Sequence, residues 1–108
     1  MANPFAGEVA LVIDGERHVL KLTLGALAEL EADLETDTLM ALVERFDRQA
    51  FSTRDVLALI VAGLRGGGWG GTARDLLSAD IEGGPIEAAR VAAALLALAF
   101  TVPGDDAA

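Results

Sequence analysis

The sequence predicts an α+β fold, with an N-terminal β-hairpin packed on a small bundle of about five helices. Three observations predict it. Residues 8–22 alternate apolar with polar or small residues around an Asp14-Gly15 pair. From Thr23 onward apolar residues recur at helical spacing. The apolar share, 53% of 108 residues, is rich in Ala and Leu, which favour helices over strands. One domain over residues 1–108 is expected at this length. A mean hydropathy of +0.44 is too apolar for a disordered chain.

The hairpin comes first. Val9, Leu11 and Ile13 alternate along the first strand, and Asp14-Gly15 supplies a turn pair that tolerates positive φ. With those two residues as the loop, Glu8 faces Lys21, Val9 faces Leu20 and Leu11 faces His18. One face then carries Val9, Leu11, Ile13, Leu20 and Leu22 and needs helices to cover it.

The helical part spans residues 23–102. Thr23 is placed as an N-cap, with Leu27, Leu30 and Leu34 as the buried stripe and Glu29, Glu31, Asp33 and Glu35 facing water. Thr36-Asp37-Thr38 breaks the chain, because such side chains compete for backbone hydrogen bonds. A short helix follows with Leu39, Leu42, Val43 and Phe46. Ser52 and Asp55 form a capping box, and Phe51 and Val56 are spaced for a hydrophobic staple. That helix buries Val56, Leu57, Ile60, Val61 and Leu64 and stops at Gly66-Gly67-Gly68.

Thr72 and Asp75 repeat the capping pattern, so Ser52–Leu57 and Thr72–Leu77 look alike; two copies read as reused capping chemistry, not a solenoid. Gly83-Gly84 breaks the chain again, and Pro85 is placed at the first position of the last helix. From Val91 to Phe100 that helix is apolar all round, which makes it either the central core helix or half of an oligomer interface. Residues 103–108 read as a frayed acidic tail. The expected core is Val9, Leu11, Leu20, Leu22, Leu27, Leu30, Leu34, Leu42, Phe46, Ile60, Leu64, Val91, Leu95 and Leu98.

Composition excludes most chemistry. There is one His, no Cys and no Tyr, so no catalytic residue, metal ligand set or cofactor site is expected. His18 lacks fellow donors, and no spacing gathers two carboxylates in a cleft. The net charge of −9 argues against nucleic acid and against anionic membranes. It serves solubility, or it forms an acidic face for a basic partner. The first residues carry no secretion signal, and the run Val91–Val102 falls short of the roughly 20 residues that span a bilayer. A cytoplasmic location is expected.

Gly66, Gly68 and Gly71 satisfy G-x-G-x-x-G. They follow a helix and not a strand, so they read as a hinge or irregular loop and not a phosphate cradle. Trp69, between glycine pairs, is either a core plug or an exposed partner anchor. Phe51, Leu64 and Trp69 are the candidate partner-binding residues.

Three strings carry a family resemblance: Gly-Glu-Val-Ala-Leu-Val-Ile-Asp-Gly at 7–15, Leu-Thr-Leu-Gly-Ala-Leu-Ala-Glu-Leu-Glu at 22–31, and Leu-Ala-Leu-Ile-Val-Ala-Gly-Leu-Arg-Gly-Gly-Gly at 57–68. Across residues 5–102 the chain resembles the small tail-assembly proteins of gene transfer agents, relatives of the tail assembly chaperones of long-tailed, non-contractile phages. The resemblance implies a non-enzymatic chaperone that keeps the tape measure protein soluble while tail tube protein polymerises around it. Its implied partners are the tape measure protein and the tail tube protein, with self-association through the last helix left open. The alternative is a structural tail or head-tail connector component retained in the particle. The family supplies no active-site residues to carry over.

Overall fold

The computed structural model describes residues 2–3, 6–34 and 38–100. Among them lie a two-stranded antiparallel sheet, β1 (Glu8–Ile13) and β2 (Glu16–Lys21), and five helices. These are α1 (Leu24–Asp33), α2 (Leu39–Asp47), α3 (Thr53–Gly66), α4 (Ala73–Leu76) and α5 (Gly84–Ala99). The expected α+β class and hairpin-then-helices order are both present. The break at Thr36-Asp37, the side chain of Glu35 and the tail at 103–108 lie outside the described residues.

The hairpin register is the one expected: Glu8 opposite Lys21, Val9 opposite Leu20, Leu11 opposite His18. It follows from the turn. Asp14 and Gly15 both have positive φ, +52° and +81°, the geometry that matches the twist of paired strands. Pinning two residues there fixes every pair behind them.

Both outer edges of this sheet carry partners that are not long strands. Along β1, Asp14 N donates to Asp80 O at 2.7 Å and Glu82 N donates to Val12 O at 3.0 Å. Ile81 thereby bridges Ile13. Along β2, the end of α3 packs so closely that a Cβ on Gly66 or Gly67 would collide with the carbonyl oxygen of Lys21 or Val19. Edges engaged in this way are poor templates for an added strand.

The starts marked by Thr23, Ser52 and Thr72 are as the sequence predicts; Thr38 is a cap it did not name, and α5 begins at Gly84, which puts Pro85 second and not first. The side chains of Thr23 and Thr38 accept from Ala26 N and Ala41 N, each at 3.1 Å. Ser52 and Asp55 close a reciprocal capping box, with Ser52 N donating to Asp55 Oδ2 at 2.9 Å and Asp55 N to Ser52 Oγ at 3.1 Å. At Thr72 and Asp75 only the return half of a second box is made, Thr72 N donating to Asp75 Oδ2 at 2.8 Å. Pro85 lies in the first turn of α5, one position after Gly84.

The core differs from expectation in one respect. α3, not α5, is the central helix, packing against β2, α1, α4 and α5. From Leu59 to Leu64 every residue of α3 is buried. In α5 the buried positions are Ala88, Val91, Ala92, Leu95 and Leu96, a regular one-sided stripe. Its other side is exposed at Ala93 and Ala97. Alanine presents little apolar area to water, so a run that reads as apolar all round still behaves as amphipathic. Leu98, expected in the core, is therefore only half-buried. Val9, Leu27, Leu34 and Phe46 are partly buried against the core, and the other nine expected core residues are buried.

α3 and α5 meet where Gly63 lets the helices approach: a Cβ there would sit 2.7 Å from Leu95 Cδ1 and 3.1 Å from Leu20 Cβ. Beyond Gly63, α3 ends in a Schellman motif. Gly68 N donates to Arg65 O and Trp69 N to Leu64 O, with Gly68 at φ +104°. The glycines after α3 thus form a helix stop fitted against β2.

Candidate functional site

An open apolar groove of about 690 Å³ lies on the helical side of the described residues. Its three walls come from separate stretches of chain. α3 contributes Val56, Leu57 and Ile60; α4 and the turn after it contribute Leu76, Leu77 and Ile81; the start of α5 contributes Pro85, Ile86 and Ala89. Phe51 closes one end. Two large residues lining it face water, Leu77 at 71% and Ile86 at 85% exposure. Exposed apolar side chains lining one groove are the kind of feature that marks a contact surface.

Capping chemistry and ion pairing hold the Phe51 end in place. Arg45 on α2 grips Asp55 with two hydrogen bonds, Nε to Oδ2 and Nη2 to Oδ1, both 2.9 Å. Phe46 stacks on Phe51 with ring centroids 4.4 Å apart and planes 6° from parallel. The aromatic partner of Phe51 is thus on α2, besides the Val56 that shares its groove. Asp55 is buried. Burial is the strongest influence on its carboxyl and opposes ionisation. The Arg45 hydrogen bond, the Ser52 N–H, the charge of Arg45 and the Ser52 hydroxyl together outweigh it and hold Asp55 below the ordinary carboxylate range.

The three residues expected to bind a partner do not share a surface. Phe51 lines the groove and is half-buried. Leu64 is 1% exposed, a core residue with no surface to offer a partner in this conformation. Trp69 is half-buried against the core, and a Cβ on Gly71 would run into its ring. With Leu64 it lines a separate hollow of about 410 Å³, bounded also by Arg17 and His18. As the residue after the left-handed Gly68, Trp69 lies where a Schellman motif places an apolar contact with Leu64.

The groove residues that the sequence did not single out are Leu77, Ile81 and Ile86. Their signal was present but faint: large apolar residues inside short turn-rich segments, where no helical stripe accounts for them.

The site's chemistry is apolar contact. Among the described residues no buried side-chain nitrogen or oxygen lacks a hydrogen-bond partner, and the groove lining is mostly apolar, with Asp80 its one charged residue. No group of three or more His, Cys, Asp or Glu among the described residues could hold a metal ion. No described helix is long and apolar enough to cross a membrane.

Comparison with known proteins gives one match. A protein-family model described as "Phage tail tube protein, GTA-gp10" matches residues 6–102. No curated protein and no solved structure matches the chain.

Proposed function

The chain belongs to the family described as phage tail tube protein, GTA-gp10, and on that premise we propose that it is a structural tail component of a phage-like particle. The single observation behind the reading is the family match over residues 6–102, whose description names a tube protein and so favours the retained component over the assembly chaperone. The architecture is compatible with this role. A hairpin with both edges engaged directs association to the helical side, where Leu77 and Ile86 lie exposed along an apolar groove. The role asks for contact area and no bond-making.

One observation favours a second reading. The groove is open in the lone chain, and a net charge of −9 keeps a loaded carrier dispersed. Both suit a chaperone that covers the apolar stripe of the tape measure protein during tail tube assembly and then leaves. Quantitative mass spectrometry of purified particles separates the two. A structural component is expected in fixed stoichiometry with the other tail proteins, at one or more copies per particle. Particles that carry full tails but hold far less than one copy would overturn the structural reading in favour of the chaperone.

A further inference from the structure

We infer that the groove between α3, α4 and α5 docks one amphipathic helix of another tail protein, with a leucine-type stripe flanked by Lys or Arg. The inference deepens the tail-component reading, and rests on it for the setting in which such a helix is met.

The geometry of the walls points to a helix. Two long helices, α3 and α5, and the one-turn α4 line the trough with side chains, while the sheet edges are engaged elsewhere. An added strand would find no backbone ladder here. A helix needs none, because its own backbone is satisfied and only its apolar stripe must be covered. Leu77, just after α4, and Ile86, in the first turn of α5, both line the trough and are largely exposed. They are positioned to flank side chains spaced i, i+3, i+4, i+7.

Charge selects the occupant. The segment Thr72–Glu87, which forms two of the three walls, carries Asp75, Asp80, Glu82 and Glu87 against Arg74 alone. Asp80 lies in the groove lining itself. Asp14 stands beside it, its Oδ1 accepting from Asp80 N at 2.8 Å. Glu87 is joined by Arg90 through two hydrogen bonds, 2.8 and 2.6 Å, which reduces but does not reverse the local excess. A second copy of this chain would bring another −9 toward wall segments that are already net acidic. A basic helix would find complementary potential there, which sets partner choice and orientation.

The test uses two synthetic helical peptides with the same leucine stripe, one flanked by Lys and Arg, the other by Glu. They are titrated calorimetrically into the intact chain and its variants. The basic peptide is expected to bind at least tenfold more tightly than its acidic twin, and to weaken as salt is raised. Ile86→Asp and Leu77→Asp should each lower its affinity at least tenfold. Each change adds negative charge, so any loss is attributable to the apolar contact and not to the field. Both residues are largely exposed, so thermal melts of the variants should match the parent.

Equal affinity for the two peptides, or binding of neither, overturns the inference. So does a dimer in sedimentation equilibrium that Ile86→Asp dissociates, which would assign the groove to a second copy. None of these results bears on whether the chain is found in particles, so the inference and the tail-component reading can fail separately.

Discussion

Gly66→Ala is expected to destabilise the fold by about 3 kcal/mol, the upper end of ordinary overpacking. For a domain of this size that lowers the melting temperature by roughly 15 °C. The cause is a collision with backbone. An added Cβ at Gly66 meets the Lys21 carbonyl oxygen, and at Gly67 the Val19 carbonyl oxygen. A flexible side chain could rotate away; a strand carbonyl cannot move without disturbing its own pairing. Gly70→Ala is the control. Nothing lies within 4 Å of the Cβ it would gain, and its φ is not among the positive ones, so its melt should stay within about 0.5 kcal/mol of the parent. Calorimetric or circular-dichroism melts of the two variants side by side check this. Equal melting of both would mean that the α3 end does not rest on β2.

Asp55→Asn is the second large effect, a loss of roughly 2–3 kcal/mol. Asn keeps the size of Asp55 but cannot accept both hydrogen bonds from Arg45 as an anion. The guanidinium, its side chain only 28% exposed, then loses the charge of Asp55. The capping box of α3 weakens with it.

The pH dependence follows in sign. The Asp55 carboxyl is held below its ordinary value in the folded chain, so its contribution is fully present above the unfolded pKa, about 4 for aspartate. It fades as pH falls through the lower folded value. The difference in stability between parent and Asp55→Asn should therefore be constant from pH 7 to about 5 and shrink below about pH 4. Urea melts across that range measure it. A difference that persists unchanged at pH 2 would show that the lost packing, and not the charge, matters. Glu87 is lowered too, chiefly by its hydrogen bond from Arg90, but that pair is solvated, and such pairs contribute little.

Much of the fold was legible in the sequence because its determinants are local. Asp14-Gly15 fixes the hairpin register by turn geometry alone. Thr23 and Ser52 mark helix starts within three residues of the groups they cap. What stayed hidden depends on distant partners. Ile81 joins Ile13 across 68 residues of chain, and no local pattern announces a one-residue bridge. The Arg45 grip on Asp55 spans a helix end and a turn.

The glycines after α3 were visible as a stop but not as a fitted surface, because their reason lies in the carbonyls of β2. Leu64 was misplaced as a contact residue for a related cause. It sits on the same apolar stripe as its neighbours, and only packing reveals that α3 is enclosed on all sides near its end. The groove is assembled from three separated stretches, so only Phe51 among its residues was picked out beforehand.

The tail-building role we propose works through apolar contact in the α3–α4–α5 groove, which Ile86 lines. The most direct measurement is complementation of a gene-deleted particle producer with Ile86→Asp, counting tailed particles by electron microscopy. With the variant present at parental levels, tailed particles should fall at least tenfold while heads persist. Parental numbers of normal tails from the Ile86→Asp strain would contradict the claim.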